Sequence, residues 1–219
     1  MKMRRLAQCL VVAAIALPAP SHQAGAAAAD PSALVTAMSG ELRQDLADTA
    51  LTPAVREQRF HDILDDGVDF ATISRFVLGR YWQATSEPVR QEFGTVFESY
   101  VIQSFTRQFG LFGGETMKVT GARIEGEADT VVATQIVHPN GSPSTSVDWR
   151  VHKGANGFKI SDVSIGGVSM ALTYREQFAS VIDQSNGQVP VLIAKLREKV
   201  DAQPKTTDPT AGTPAVAKP

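Results

Sequence analysis

Two short clusters in the sequence carry residue types that could do chemistry. Gly167-Val168-Ser169-Met170-Ala171 has the form G-x-S-x-A, in which a sharp turn presents a serine as a nucleophile. In an α/β-hydrolase the acid and the histidine follow that serine in chain order, and no histidine occurs after His152. The triad cannot be completed, so a tight glycine-assisted turn into a helix accounts for the pattern. His61-Asp62 with Asp65 and Asp66 sets His61 and Asp65 one helical turn apart, a two-ligand face for a metal ion. A third or fourth ligand is missing, because His138 and His152 fall in strand-like runs, and the cluster reads as the solvated side of an amphipathic helix. No phosphate-cradling G-x-x-x-x-G-K loop, dinucleotide turn or HExxH pair is present. The chain therefore offers no catalytic residue, no metal ligand set and no cofactor site, which directs attention to binding rather than catalysis.

Composition narrows the kind of binding. The chain has 219 residues, 43% hydrophobic and 20% charged, the balance of a globular protein. Its 21 Lys and Arg are outnumbered by 23 Asp and Glu, so the basic surplus that nucleic-acid binding requires is absent. Residues 1–29 read as a secretory signal: Lys2, Arg4 and Arg5 precede the apolar run Leu10 to Leu17, then come Pro18, Pro20 and small residues around Ala24-Gly25-Ala26 or Ala27-Ala28-Ala29. That run is far short of the ~20 residues of a membrane span. The single cysteine, Cys9, precedes the apolar run and leaves with the leader, so the mature chain has no thiol and is more acidic than its precursor. Residues 30–200 form one domain, and the Pro/Thr/Ala-rich residues 201–219 form a disordered tail.

The first half of the domain has helical periodicity. Asp30-Pro31 opens a helix with Leu34, Val35, Met38, Leu42 and Leu46 on one stripe, and Thr52-Pro53 opens a second with Val55, Phe60, Ile63 and Leu64 inward. Asp69 caps a third, with Phe70, Ile73, Phe76 and Val77 as its stripe, closed by Gly79. Ser86 caps a longer one carrying Val89, Phe93, Val96, Phe97, Tyr100, Val101, Phe105 and Phe109, closed by Gly110. The period then drops to two. Met117–Glu125, Thr130–His138, Thr145–Lys153 and Phe158–Ile165 are strand-like runs joined by short glycine-bearing links, which predicts an antiparallel meander. Helices from about Val168 to Ser185 and from Val189 to about Val200 complete an α+β domain: a four-stranded antiparallel sheet packed with N- and C-terminal helices.

The sheet has an unusual pattern. Val131, Val132, Ala133, Ile136 and Val137 are apolar at positions of both parities, where a half-exposed strand alternates with polar residues. In the last strand Phe158 and Ile160 share one parity while Val163 and Ile165 share the other, which predicts a bulge. A sheet apolar on both faces needs cover on both, from helices or from a guest molecule.

Two segments resemble one family. Phe70-Ala71-Thr72-Ile73-Ser74-Arg75-Phe76-Val77-Leu78-Gly79-Arg80-Tyr81-Trp82 is similar to the F-x-x-I-S-R-x-V-L-G-x-Y-W stretch of the MlaC-like, or toluene-tolerance, family. Asp162-Val163 with Gly167-Val168-Ser169, followed by Tyr174-Arg175-Glu176-Gln177-Phe178, resembles that family's D-V-x-x-x-G-V-S and Y-R-x-Q-F. The order of helices, meander and final helices agrees over about Ser32 to Val200. The resemblance implies a soluble monomeric periplasmic carrier of a Gram-negative bacterium, with no catalytic residues and no stable membrane insertion. Its ligand would be phospholipid, or a hopanoid in one branch. Its partners would be an inner-membrane ABC transporter complex and an outer-membrane lipoprotein complex.

That implication gives the sheet its guest, held in an apolar cavity between sheet and helices. The residues expected to line it are Phe97, Val101 and Phe105 from the long helix and Val132, Thr134, Val147, Trp149, Val163 and Ile165 from the sheet, with Val168, Met170 and Tyr174 beyond it. On this reading a tryptophan at Val147 finds room. Tyr81-Trp82 is expected to lock its loop against the body, and Arg75 and Arg80 to make structural ion pairs.

Overall fold

A computed structural model describes residues 30–48, 50–109, 114–155 and 157–202; the expected leader, Gly110 and the tail from residue 203 onward lie outside the described residues. Helix α1 (Pro31–Ala47) starts where Asp30 accepts the Ala33 amide at 2.8 Å, with proline in the first turn. In α2 (Pro53–Gly67) Thr52 accepts from Val55 at 3.4 Å, and in α3 (Phe70–Leu78) Asp69 accepts from Thr72 at 2.9 Å. Helix α4 (Glu87–Phe109) begins after Ser86, whose carbonyl accepts the Arg90 amide at 3.0 Å. Two expected inward residues face out instead: Val55 and Phe76 are more than two-fifths exposed, each lying at the margin of its helix's stripe.

A five-stranded sheet follows, all antiparallel, in the order β1 (Thr116–Glu125), β2 (Asp129–Val137), β3 (Thr145–Gly154), β4 (Gly157–Ile165) and β5 (Val168–Ser169). The fifth strand corrects the expected four. Gly166 and Gly167 have φ of +57° and +84°, the geometry of a two-residue type I′ hairpin, so the chain pairs back onto β4 before any helix starts. Helix α5 (Met170–Asp183) then begins from Ser169, whose hydroxyl accepts the Leu172 amide at 3.0 Å, and α6 (Val189–Asp201) closes the domain. No described helix is long and apolar enough to cross a membrane.

The predicted bulge is present. Val151 pairs with Ile160 and Arg150 with Asp162, so Ser161 is the extra residue. Its effect is to bring Phe158, Ile160, Val163 and Ile165 onto one face, together with Val132, Thr134, Val147, Trp149 and Val151 from the neighbouring strands. Residues of α1, α2 and α3 pack in one cluster with this face.

The expectation that both faces need helix or guest is corrected. On the outer face Val131 lies in register between Arg123 of β1 and Arg150 of β3, and is 3% exposed. Those guanidiniums pair outward, Arg123 with Asp148 at 3.6 Å and Arg150 with Glu125 at 2.6 Å and Asp129 at 3.4 Å. The arginine stems supply the cover while their charged heads stay in water.

Two hydrophobic clusters result. One gathers α3 to α6 around Phe93, Phe97, Phe178 and Ile182. The other joins α1 and α2 to the inner face of the sheet around Val35, Phe60, Val132, Val151 and Ile160. Helix α4 serves both, with Phe93 to Val101 in the first and Ile102 and Phe105 in the second.

Candidate functional site

The seam between these clusters holds an apolar cavity of about 110 Å³. Met38 and Leu42 of α1, Phe60 and Leu64 of α2, Val68, and Phe70 and Ile73 of α3 form one side of its wall. Phe97, Val101 and Phe105 of α4 form another, and Met170, Ala171 and Tyr174 come from the start of α5. The floor is Trp149 of β3 with Ile160, Asp162 and Val163 of β4.

The polar groups of this wall are all accounted for by local structure. The Trp149 indole N–H donates to Thr134 Oγ1 at 3.0 Å, and that hydroxyl donates to the Val147 carbonyl at 2.8 Å. This relay satisfies two buried groups and fixes the indole as a flat apolar floor. Asp162 turns its carboxylate away to accept from Ser169 Oγ at 2.6 Å, Val163 N at 2.8 Å and Ala171 N at 3.0 Å. It thereby ties β4 to the positive N-terminal end of α5. The Ser169 hydroxyl, singled out as a possible nucleophile, is occupied as helix cap and as donor to Asp162.

Tyr174 stands at the aromatic end. Its ring is edge-on to Phe97 at 5.7 Å and stacked on Phe178 at 5.6 Å. Burial, with a smaller contribution from Tyr100, pushes its phenol up to about 12, so it stays neutral at any physiological pH. What remains facing the cavity is carbon, thioether sulfur and neutral rings. Such a surface can hold hydrocarbon.

The structure brings together seven of the residues expected in this wall: Phe97, Val101, Phe105, Trp149, Val163, Met170 and Tyr174. It places five elsewhere. Val132, Thr134 and Val147 share the floor's face of the sheet and are buried, but they pack beside the cavity rather than on it. Ile165 and Val168 pair with each other at the β4–β5 hairpin and are exposed, because the turn carries them past the helices. Strand parity determines the face of a residue but not how far along the strand the cavity extends. The residues of α1, α2 and α3 in the wall were read only as core, since an inward stripe looks the same against a cavity as against a neighbour.

His61 and the acidic residues near it form no metal centre. His61 lies 3.7 Å from Glu98 of α4 and 3.9 Å from Asp62, and no group of three ligand-type side chains comes together among the described residues. A second, more open hollow of about 650 Å³ lies on the outside between Val77–Tyr81 and α5. Two of its charged groups, Arg80 and Asp183, are used structurally. Arg80 pairs with Asp183 at 2.6 Å, and the Tyr81 hydroxyl also bonds Asp183. The neighbouring Trp82 carbonyl accepts from Arg90 Nε at 2.9 Å. The loop lock expected of Tyr81-Trp82 is this set of bonds; Arg75 makes no ion pair among the described residues.

Comparison with known proteins fits this geometry. The family model for the MlaC protein matches residues 32–198. The chain belongs to the MlaC family. Among solved structures, a phospholipid-binding protein from Ralstonia solanacearum, in complex with a phospholipid, superposes with a TM-score of 0.68. The two share 26% sequence identity over 79% of this chain and 98% of the Ralstonia one. In this MlaC-family chain the two segments that carried the resemblance are neighbours, since α3 packs on α5. Gly79, at φ +50°, lets the chain turn where an added Cβ would come within 3.0 Å of Arg175 Nε.

Proposed function

We propose that this chain is a periplasmic lipid carrier, exported by its leader, that shields phospholipid while it crosses between the outer and inner membranes. In this reading it is the soluble component of an Mla-type ABC transport system. It would exchange lipid with an outer-membrane lipoprotein complex and an inner-membrane transporter complex. The observation that carries the reading is the cavity on the seam: a wall of carbon, thioether and neutral rings, in a fold whose Ralstonia relative binds phospholipid.

The energetics require such a device. Two acyl tails of roughly 30 methylenes, at ~0.8 kcal/mol each, cost on the order of 24 kcal/mol to expose to water. A carrier that covers the tails removes most of that cost. The cavity's 110 Å³ is well below the ~300–1,000 Å³ of pockets that enclose drug-sized ligands, so loading requires the two clusters to part along their seam. The seam is the economical place to open, because each cluster stays intact on its own side.

The test is native mass spectrometry of protein expressed with its leader, with the bound lipid then extracted and identified. A diacyl phospholipid at near-stoichiometric load is the expected result. A pentacyclic triterpenoid would keep the carrier and change its cargo to a hopanoid. Protein that returns with no lipid, and takes up none from vesicles, would sink the reading in favour of a periplasmic interaction module.

A further inference from the structure

Among the described residues seven large hydrophobic side chains are exposed, and four of them lie along one strip. Ile165 and Val168 face each other across the β4–β5 hairpin, and Val168 is 60% exposed. Leu172 follows in the first turn of α5, and one turn further Arg175 sets its guanidinium 5.0 Å over the exposed ring of Phe76. The strip adjoins the cavity, because Val163, Met170 and Ala171, interleaved with it in sequence, belong to the cavity wall.

We propose that this strip docks the carrier on the surface of a phospholipid bilayer. Ile165, Val168 and Leu172 would enter the boundary between headgroups and acyl chains, and Arg175 would lie against a phosphodiester. The proposal rests on the carrier reading, and adds where lipid enters. Three observations select a lipid surface over a protein. From Val163 to Tyr174 the sequence has no charged residue, and the next residue is an arginine that forms no ion pair among the described residues. An apolar band edged by one unpaired cation complements a bilayer, whose phosphates lie just outside its hydrocarbon. Two hydroxyls beside the band are already used, Ser169 by Asp162 and the Leu172 amide, and Thr173 by the Ser169 carbonyl at 2.7 Å. Protein interfaces carry about one hydrogen bond per 100–200 Å², and this band offers carbon and few directional contacts. The tip itself is Gly166-Gly167, which presents no side chain to a shaped partner.

The test pairs capture of the full chain by protein-free phosphatidylcholine–phosphatidylglycerol vesicles with transfer of a fluorescent phospholipid between vesicle populations. Both are read beside thermal melting and bound-lipid load. Wild type should be captured and should transfer lipid. The double variant Val168→Asp with Leu172→Asp should lose capture and transfer lipid at least about tenfold more slowly, keeping its melting temperature and its load. If the aspartates prevent folding, Val168→Ser with Leu172→Ser should show the same direction of change. Ile124→Asp, at the most exposed hydrophobic position on the far edge strand, should behave as wild type. Unchanged capture and transfer in the folded double variant would overturn the docking face. So would wild type that carries lipid yet ignores protein-free vesicles and binds only membranes containing protein. Wild type with no lipid load is a separate result, which removes the carrier reading itself.

Discussion

The helical cluster around Phe93 and the sheet-side cluster around Val35 meet along one seam but are packed by different chemistry. On the helical side Phe93 stacks on Phe97 at 5.5 Å and meets Phe178 edge-on at 6.0 Å, while Phe97 meets Phe178 edge-on at 5.6 Å. Rings held in stacked and edge-on pairs have a specific geometry and little room to shift. The sheet side is mostly aliphatic, with Met38, Leu42 and Leu64 lining the cavity. Unbranched thioether and leucine side chains fill irregular space and repack at low cost. The contrast is between a helical cluster fixed by interlocked rings and a sheet-side cluster whose Met38, Leu42 and Leu64 can repack, with the cavity where the two fail to interlock.

The comparison breaks most visibly at its most buried ring. Phe93→Ala should remove about 3–5 kcal/mol of stability, because Phe93 is fully buried between two other rings that cannot collapse into the space. Leu42→Ala, across the seam, extends a cavity that already exists and should cost about 2 kcal/mol, the low end for such truncations. Equal losses in chemical denaturation would erase the claimed difference between the two sides.

Next in size are two insertions. Val147 is buried beside the cavity rather than on it, so Val147→Trp should overpack the sheet and cost about 1–3 kcal/mol, the reverse of what strand parity alone suggested. Val101→Phe, on the wall itself, should melt close to wild type while retaining much less lipid. Melting and lipid content measured on one preparation separate the cases, and a Val147→Trp protein that melts like wild type but loses its lipid would move the cavity boundary. Comparable in size is Thr134→Val. It leaves the Trp149 indole N–H without an acceptor and should cost about 1–3 kcal/mol, with a shift in tryptophan emission as the ring loses its anchor.

Much of this architecture is legible in the residues. Asp30, Thr52 and Asp69 act as caps where their types and positions indicate, and the parity break between Ile160 and Val163 is the bulge at Ser161. Local chemistry decides such features, and local chemistry is what a sequence displays. The β5 hairpin was missed because Gly166-Gly167 reads equally as a helix entry or as a type I′ turn, and only pairing with β4 decides. The outer face was misread because periodicity treats Arg123 and Arg150 as polar, whereas their stems cover Val131. The cavity wall was half legible. Its α4, β4 and α5 residues follow from periodicity, but Met38, Leu42 and Phe60 become wall only through the tertiary packing of α1 and α2.

The smallest effect tests the seam itself. Helices α2, of the sheet-side cluster, and α4, which serves both clusters, meet in polar contact where His61 lies 3.7 Å from Glu98. Burial holds the Glu98 carboxyl above the ordinary range, Asp65 nearby raises it further, and His61 opposes both. A carboxyl whose pKa is higher folded than unfolded favours folding in its protonated form. Its contribution is therefore greatest at low pH and is lost as pH rises through the upper carboxylate range. Glu98→Gln should flatten that limb of the stability–pH curve, leaving the variant as stable as wild type or more so at neutral pH. Urea denaturation at a series of pH values measures this directly. A variant clearly weaker at neutral pH, matching wild type only once the carboxylate is protonated, would mean that the His61 contact outweighs the burial of the charge. Glu98 would then act as a clasp across the seam rather than a weak point in it, and opening for lipid would have to break that clasp.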